Sequence, residues 1–419
     1  MMRTFTLSEA KTWTQADSGS NELSGLSFSG VSTDTRSLEA GQLFVALRGD
    51  HFDGHKFLEK AQALGAVAAV VDTANDAVSM PQLIVKDTVK ALAHLASGNR
   101  DVSDARLVAV TGSSGKTTVR GMTAAILSRM GSTLATQGNL NNHIGVPLTL
   151  FGLLPEHRYG AIELGASSLG EIAHTVAITK PEVAILTNAG TAHLEGFGSY
   201  ENVVRAKGEI IDGVRPGGVV VLNRDDPAFE LWQARAAGRK VVSVSRFDHA
   251  EADYLGGKNT SGDVGLAFQV KGPGGWSCSI NLALEGDHNI TNALLAVAAA
   301  RALGASDQAI VSGLAQVQAV KGRLQALRLA PGLTVIDDSY NANPASMKAA
   351  LAVLAARQGE RIAILGAMAE LGPTAYALHR DVGEYARNAQ IERLLVVGPG
   401  CEGYVEGFGV KTEIYQTHN

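Results

Sequence analysis

The stretch that decides the fold is VAVTGSSGKTTVRGM, from Val108 to Met122. It reads as a short apolar strand, a glycine-containing turn and the start of a helix. The turn resembles the phosphate-binding loop G-x-x-x-x-G-K-[ST], but it is two residues shorter between its glycines, Gly112 and Gly115. Because the free amides and the positive dipole end of a helix start attract anions, this stretch predicts a nucleotide site with a tight loop.

The residues of this loop have predicted roles in binding a nucleotide. Lys116 can reach the outer phosphates, and the hydroxyl of Thr117 can ligate Mg²⁺. The alternative is a structural turn with an exposed lysine, but the Gly-Lys-Thr-Thr run falls where a phosphate would sit and favours the nucleotide. The predicted nucleotide-binding set is Gly112, Ser113, Ser114, Gly115, Lys116, Thr117 and Thr118.

The composition is that of an ordinary globular protein. The chain has 419 residues, 45% of them hydrophobic and 18% charged, so we expect two or three domains. A net charge of -5 gives no reason to expect nucleic acid or an anionic membrane as a partner, and no apolar run is long enough to span a bilayer. With two cysteines and no apolar stretch near the N-terminus, the sequence favours a reducing, cytoplasmic location.

Strand and helix patterns divide the chain into three segments. The first mixes strands and helices and ends in a polar stretch, SGNRDVSDAR (97–106), that reads as a linker. In the second segment strands and helices alternate, with one β-hairpin before the helix NITNALLAVAAARALG. A second alternation of strands and helices begins in the third segment, with the strands LTVIDDS, RIAILGA and RLLVVG. The predicted class is α/β in three domains: a smaller N-terminal domain (1–100), a central doubly wound parallel sheet (101–318) and a C-terminal Rossmann-like domain (319–419).

Polar residues follow three strands of the predicted central sheet. Thr117 follows the first strand, Glu163 follows YGAIE, and His193 follows VAILTNAG. The carboxyl ends of parallel strands meet at one edge, where ligands bind. A single glutamate or histidine in such a loop is more often structural, but three such groups at one rim favour a site for Mg²⁺ and phosphate.

Three further motifs have two interpretations each. Asp287 or Asn289 can cap the start of a helix, or Asn289 and Asn292 can present their amides to an adenine edge. Arg323, in KGRL, is either a solvated charge at a junction or a group that reaches a phosphate. Asn343 followed by proline is a good helix start, but it does not explain the polar cluster before it, which suits a ribose diol. That cluster is Asp337, Asp338, Tyr340 and Asn341.

Taken in order, these motifs resemble one family. The runs TGSSGKTT, GNLNNHIG, ELGASSLGEI, TNAGTAHLEGFGS, AKGEI, GDHNITNALLAVAA, KGRL, DDSYNANPASM and LGAMAELG follow the order seen in the Mur ligases. The resemblance covers nearly the whole chain. Within the family, GNLNNHIG and DDSYNANP point to the branch that joins D-alanyl-D-alanine to UDP-N-acetylmuramoyl-tripeptide, and the DNPR run of the diaminopimelate- or lysine-adding branch is absent.

The resemblance implies an ATP-dependent ligase of peptidoglycan precursor synthesis. ATP would phosphorylate the terminal carboxylate of the UDP-linked tripeptide, and the amine of D-alanyl-D-alanine would attack the acyl phosphate. Thr117 and Glu163 would hold one Mg²⁺, and His193 with a carbamylated Lys207 would serve a second. Lys116, Lys207 and His193 are therefore the predicted catalytic residues, with an exposed lysine on an amphipathic helix as the alternative for Lys207.

The resemblance also implies two substrate-binding regions. The N-terminal domain would grip uridine diphosphate, although STDTRS read from its residues alone is merely a polar turn. The run GNLNN would face the muramoyl peptide near its reacting carboxylate. The residues assigned in this way are Ser32, Thr33, Asp34, Arg36 and His55 for the first region, and Asn139, Asn141 and Asn142 for the second.

Several alternatives stay open beside this interpretation. A sibling Mur ligase and folylpolyglutamate synthase share the short loop, and a P-loop NTPase switch or a non-catalytic UDP-sugar-binding protein would belong to other classes. A GTPase is disfavoured, since the chain has no N-K-x-D run. We expect a monomer. Because family members usually continue with a strand and helix that carry a Lys-Gly-Ser-Arg run, we expect the C-terminal domain to be incomplete after EIYQTHN.

Overall fold

The computed structural model describes residues 2–18, 23–49, 52–190, 194–247, 249, 251–257, 265–409 and 412–415. They form three sheet-centred α/β units in chain order, which confirms the predicted fold class. None of the helices in these ranges combines the length and the apolar character that a bilayer crossing requires.

The N-terminal unit is built on a four-stranded parallel sheet with the order β3-β4-β7-β8. Helix α1 begins at a capping box, in which the Thr6 hydroxyl accepts from the amide of Glu9. The strands are β1 (Phe5–Thr6), β2 (Ser27–Phe28), β3 (Val31–Ser32), β4 (Leu43–Val45), β5 (Arg48–Gly49), β6 (Phe52–Asp53), β7 (Ala68–Val71) and β8 (Gln82–Ile84), and the helices are α1 (Leu7–Thr14), α2 (Leu58–Ala63) and α3 (Thr88–Asp101).

The middle unit is a nine-stranded sheet with the order β10-β11-β9-β12-β13-β14-β15-β16-β17. Its strands are β9 (Arg106–Thr111), β10 (Thr133–Ala135), β11 (Tyr159–Glu163), β12 (Val183–Leu186), β13 (Val219–Asn223), β14 (Lys240–Ser245), β15 (Tyr254–Gly256), β16 (Leu266–Lys271) and β17 (Ser277–Leu282). Its helices are α4 (Lys116–Leu127), α5 (Gly145–Phe151), α6 (Glu171–Thr179), α7 (Leu194–Phe197), α8 (Tyr200–Asp212), α9 (Phe229–Arg235), α10 (His288–Ala302) and α11 (Asp307–Leu314).

The sequence predicted a doubly wound parallel sheet, whereas the observed sheet is mixed. Strands β10 to β15 pair in parallel, whereas β16 and β17 form the predicted hairpin and add to the edge in antiparallel fashion. In β17 the buried side chains, Cys278, Ile280 and Leu282, alternate with exposed ones. An antiparallel edge tolerates one solvated face in this way, whereas the central parallel strands are buried on both faces.

The strand order switches sides at β9. Strands β10 and β11 lie on one side of β9 and β12 to β15 on the other. At such a switch point the connections leave in opposite directions, and a crevice opens beyond the carboxyl ends of the strands. The loop between β9 and α4 is the glycine-containing turn, so the topology directs that loop into this crevice.

The C-terminal unit has a three-stranded parallel sheet, β20-β21-β22, and a separate hairpin, β18-β19. The run LTVIDDS does form a strand, but in the described residues it pairs only with β18, across the tight Pro331–Gly332 turn. Its elements are β18 (Gln325–Ala330), β19 (Leu333–Asp337), α12 (Pro344–Ala355), β20 (Ile362–Gly366), α13 (Ala375–Asn388), β21 (Arg393–Val397), α14 (Glu402–Phe408) and β22 (Thr412–Tyr415).

The polar stretch 97–106 is not a free linker, because helix α3 continues through it to Asp101. Asn99 and Arg100 are 2% and 0% exposed. The Arg100 guanidinium donates to the carbonyl oxygens of Thr179 at 2.9 Å and Ala105 at 2.9 Å, and it pairs with Glu182 at 3.1 Å. These buried polar side chains hold helix α3 against the middle unit. Partners such as Thr179 and Glu182 lie far along the chain, so the composition of the stretch alone predicts a solvated segment.

One hydrophobic core runs through the N-terminal unit and into the middle unit. It joins Leu7 and Leu43 of the first sheet, through Leu95 of α3, to Ile162 and Trp232 on one face of the nine-stranded sheet. The opposite face has a second core, shared with α4, α10 and α11. The first two units are thus packed as one body.

We expect Arg100→Met to lower the free energy of unfolding by about 3 kcal/mol or more, because the change removes the donor to the carbonyl oxygens of Thr179 and Ala105 and one of the two guanidinium groups that pair with Glu182. The midpoint of urea unfolding, followed by circular dichroism, measures this. Arg129→Met is the matched control, since Arg129 is exposed. Equal midpoints for the two variants would contradict a fastening role for Arg100.

Candidate active site

The loop between β9 and α4 approaches its neighbours too closely for side chains at its two glycines. Gly112 has φ +148°, and a Cβ there would lie 1.9 Å from the Thr187 Oγ1. Gly115 has φ +79°, and a Cβ there would lie 2.7 Å from the Asn292 Oδ1. Glycine is therefore required at both positions, which explains how the loop closes with two residues fewer than usual.

The end of the neighbouring strand β12 holds the loop in shape. The amide of Ser114 donates to the Asn188 Oδ1 at 3.0 Å, and the amide of Ser113 donates to the Asn188 carbonyl at 3.0 Å. The Thr187 hydroxyl donates to the Ser114 carbonyl at 2.6 Å. The sequence analysis missed Thr187 and Asn188, although the rule used for Glu163 and His193, a polar residue just after a parallel strand, would have found them.

Lys116 begins α4 and folds back over the loop. Its Nζ donates to the carbonyl oxygens of Gly112 at 2.8 Å and Ser113 at 3.3 Å. Burial lowers the pKa of the Lys116 ammonium, Glu163 raises it, and Arg323 lowers it further. The ammonium thus lies over a loop of the phosphate-binding type, where an anion would be its natural partner.

Glu163 ends β11 as a buried carboxylate, 2% exposed. Its Oε1 accepts from the Nδ2 of Asn141 at 2.9 Å, while its Oε2 has no hydrogen-bond partner among the described residues. The nearest cation to the Oε2 is the Nε of Arg120, at 3.7 Å. A fixed, buried carboxylate with one free oxygen suits a hard cation such as Mg²⁺, and Thr117, buried at the start of α4, adds a hydroxyl oxygen.

Lys207 lies on α8 and is buried, 2% exposed, so the alternative of an exposed helix lysine is wrong. Its Nζ donates to the carbonyl oxygen of Ala166 at 3.1 Å and lies 5.1 Å from the centre of the Phe197 ring. Burial, reinforced by Lys116, lowers the pKa of the Lys207 ammonium to about 7. A substantial neutral fraction near pH 7 makes this amine a nucleophile. His193 lies outside the described residues.

A cavity of about 450 Å³ extends from the loop to the C-terminal hairpin. Asn289 and Asn292 line it and are interlocked, since the Nδ2 of Asn292 donates to the Oδ1 of Asn289 at 2.9 Å. No side chain caps the start of α10, so the predicted cap at Asp287 or Asn289 is wrong. The predicted residues that line the cavity are Ser113, Ser114, Gly115, Lys116, Thr117, Thr118, Asn289, Asn292, Arg323 and Asn341.

On the C-terminal side of the cavity, two of the four residues of the predicted polar cluster lie outside the lining. Asp338 lines the cavity, whereas Asp337 does not and instead accepts from the Ser339 hydroxyl at 2.6 Å. Successive residues of a strand point to opposite faces, which explains the difference. Tyr340 is not in the lining either, but its ring stacks 4.3 Å from the guanidinium of Arg323. Burial raises the pKa of the Asp338 carboxyl to about 6.

Several further lining residues had no predicted role, among them Arg246, Phe247 and His288. Arg246 stacks on the ring of Phe247 at 4.0 Å, and Phe247 remains exposed. Burial lowers the pKa of His288 to about 4, and Arg246 lowers it further. An isolated aromatic and a histidine at the start of a helix carry no periodic signal, so only the folded chain shows that they share this cavity.

The residues predicted to grip uridine diphosphate lie in the N-terminal unit, outside the cavity lining. Ser32 is buried, Thr33 is half-buried, and Asp34 pairs with the exposed Arg36 at 2.6 Å. The hydrogen bonds from Arg36 lower the pKa of the Asp34 carboxyl to about 2. Since Arg36 is exposed, its guanidinium is free to turn toward an anion.

His55 is engaged inside the N-terminal unit. Its Nδ1 lies 2.8 Å from the Oδ1 of Asp53, and its Nε2 accepts from the amide of Asp72 at 3.1 Å. Arg48 pairs with both aspartates. Because both ring nitrogens make hydrogen-bond contacts, His55 links the loop before α2 to the end of β7.

The three asparagines after β10 have different environments. Asn141 holds Glu163, as described above. The Oδ1 of Asn142 accepts from the amides of Ile144 and Gly145, which fixes the turn into α5. Asn139 is exposed, and its carbonyl oxygen accepts from the amide of Asn141 at 2.7 Å.

Three family models match the chain: the Mur ligase family, catalytic domain over residues 27–100, the Mur ligase middle domain over 110–300, and the Mur ligase, glutamate ligase domain over 322–414. A UDP-N-acetylmuramoyl-tripeptide–D-alanyl-D-alanine ligase of Escherichia coli is 47% identical over 391 residues, which cover 93% of this chain and 86% of that protein.

Two solved structures are similar over most of their length. MurF from Acinetobacter baumannii is 36% identical, with a TM-score of 0.94 over 99% of this chain and 90% of that one. MurF ligase from Thermotoga maritima in complex with ADP is 27% identical, with a TM-score of 0.84 over 92% of this chain and 88% of that one. With the loop, the buried carboxylate and the cavity described above, these matches lead to one conclusion: the chain belongs to the Mur ligase family.

Proposed function

We propose that this chain uses ATP to join D-alanyl-D-alanine to UDP-N-acetylmuramoyl-tripeptide in peptidoglycan precursor synthesis. The observation that carries the proposal is the rim at which a phosphate-type loop and the buried Glu163 end neighbouring parallel strands. The buried Lys207 joins them there through its hydrogen bond to the Ala166 carbonyl, just beyond β11. The relatives that match over most of the chain carry this activity in their names.

In the proposed reaction two anions, a carboxylate and a triphosphate, are brought together. Lys116 exchanges its two loop carbonyls for phosphate oxygens, and the loop amides and the start of α4 add positive potential. Mg²⁺, when bound, would screen the phosphate charge, and Thr117 and Glu163 are the residues that would hold it. Asn289, Asn292 and the Arg323–Tyr340 pair would hold the nucleotide from the other side of the cavity.

The remaining assignments are part of the same proposal. Ser32, Thr33, Asp34 and Arg36 grip uridine diphosphate, and Asn139, Asn141 and Asn142 lie near the reacting carboxylate. Residues 1–100, 101–318 and 319–419 act as the UDP-substrate, ATP and C-terminal domains. The protein works as a cytoplasmic monomer.

We expect phosphate release from ATP only when UDP-muramoyl-tripeptide and D-alanyl-D-alanine are both present. The tripeptide supplies the carboxylate to be activated, and the dipeptide supplies the amine that drives the reaction forward. A coupled phosphate assay with each UDP-muramoyl peptide and each D-amino acid or dipeptide measures this. Efficient turnover of UDP-muramoyl-dipeptide with a single amino acid would assign the chain to another branch of the family.

Lys116→Ala should reduce ligation by about 100-fold or more, because one preorganised charge on the transferring phosphate is lost. The fold should survive, since Lys116 contacts only loop carbonyls and lies partly open. The same phosphate assay and the circular dichroism spectrum test the two statements. Lys271→Ala, at an exposed lysine on β16, is the control. Near-normal turnover in Lys116→Ala would refute the assignment of the loop.

If Lys207 carries a carbamate, Lys207→Ala should lose most activity, and propionate should restore part of it. The carbamate forms from a neutral amine and CO₂, and the low pKa of Lys207 supplies that amine near pH 7. A small carboxylic acid can replace the lost oxygens, whereas a small amine cannot. Rescue by an amine alone would show that Lys207 acts as a cation, and full activity without rescue would remove it from the mechanism.

A further inference from the structure

Arg120 is a largely buried cation that the proposed reaction leaves without a task. It lies on α4, one helical turn after Lys116, and its side chain is 16% exposed. Its Nε faces the Oε2 of Glu163 at 3.7 Å. Burying an arginine is expensive, so this charge should have a specific partner or purpose.

The contact between Arg120 and Glu163 is an ion pair without a hydrogen bond. A distance of 3.7 Å exceeds hydrogen-bond range, and both the Nε and the Oε2 are buried with no hydrogen-bond partner among the described residues. The other carboxylate oxygen is held by Asn141. The orientation of the Glu163 carboxylate is thus fixed, and its Oε2 faces the Arg120 guanidinium without forming a hydrogen bond to it.

Two other positively charged side chains influence Arg120 and Glu163. Lys116 and Arg323 both interact electrostatically with the Arg120–Glu163 region: Glu163 raises the pKa of Lys116, and Arg323 lowers it. The same Arg323 disfavours the charge on Arg120. Arg120 and Lys116 therefore lie close enough to Glu163 to interact with it, and Arg323 adds a third positive charge that acts on both of them. A divalent cation that enters alone meets repulsion from all three, whereas the negative charge of a triphosphate would offset them.

We propose that Arg120 is a built-in counter-ion that occupies Glu163 in place of a metal ion until nucleotide phosphates arrive. The divalent cation then enters only together with the nucleotide, because the phosphates draw the positive side chains away from Glu163. Arg120 is a positioning residue in this scheme. The proposal rests on the metal-holding role proposed above for Glu163.

The test is Mn²⁺ binding to the nucleotide-free protein, followed by electron paramagnetic resonance. The wild-type protein should bind Mn²⁺ weakly without nucleotide and tightly with ADP. Arg120→Gln should tighten nucleotide-free binding about tenfold or more, since one like charge close to the ion is removed. Arg120→Lys, which keeps the charge, and Arg129→Gln, at an exposed arginine of the same region, should behave as the wild type.

A second measurement separates this role from simple packing. Without metal, Arg120→Gln leaves the Glu163 carboxylate with no close guanidinium, so its thermal midpoint should fall below that of Arg129→Gln, and Mn²⁺ alone should recover the loss. Equal losses with and without Mn²⁺, together with unchanged Mn²⁺ affinity, would overturn the proposal. Tight nucleotide-free binding by the wild-type protein that disappears in Glu163→Gln would also overturn it, even if Arg120→Gln does not fold.

The metal-ligand role of Glu163 and the counter-ion role of Arg120 are tested separately. If Glu163→Gln binds Mn²⁺ as tightly as the wild type in the presence of ADP, then Glu163 is not a metal ligand, and the metal assignment under the proposed function is wrong. If Glu163→Gln loses that binding but Arg120→Gln leaves the nucleotide-free affinity unchanged, only the counter-ion role fails. The double variant Arg120→Gln/Glu163→Gln should lose the nucleotide-free binding gained by Arg120→Gln.

Discussion

The parallel pairing of β9 with β12 is the constraint on which the site depends. It aligns Thr111 with Leu186, so the two residues that follow, Gly112 and Thr187, meet at the same level. The Thr187 hydroxyl and the Asn188 amide can then hold Ser114 through the hydrogen bonds described above. A loop two residues shorter than usual has few hydrogen-bonding groups of its own, and here the residues after β12 fix its conformation. A shift of this register by one residue would separate all these partners.

The second feature of the site is concentrated charge in a dry environment. Lys116, Lys207 and Glu163 are each held against carbonyl or amide groups, with few partners of opposite charge. Without ligands this arrangement is costly, and the depressed pKa of Lys207 is one sign of that cost. Preorganised charge of this kind stabilises an anionic transition state without reorganisation at the moment of reaction. The buried charges thus lower the stability of the free protein while they prepare the site for the reaction.

The features that sequence predicts best are periodic or local. The apolar runs that became β9, β11, β12 and β13, the hairpin β16-β17 and the helix start at Asn343 and Pro344 followed from local residue patterns. Features that depend on distant partners did not. Arg100 looked like part of a linker because two of its partners, Thr179 and Glu182, lie about 80 residues further along the chain in the middle unit. Asp338 rather than Asp337 lines the cavity because successive residues point to opposite sides of the backbone. The pairing of Arg120 with Glu163 joins residues 43 positions apart and left no signal in either segment.

The common core of the first two units has a consequence for substrate selection. Helix α3 is fixed to the middle sheet by Arg100 and by Asn99, whose Nδ2 donates to the Leu150 carbonyl at 2.8 Å. The span from the Ser32–Arg36 turn to the phosphate loop is then set by packing and does not vary with a hinge. If the Ser32–Arg36 turn holds the diphosphate end of the substrate, as proposed above, the distance at which the far carboxylate can lie is set by the length of the substrate itself. The fixed span would then favour a peptide long enough to reach the phosphate loop over a shorter one.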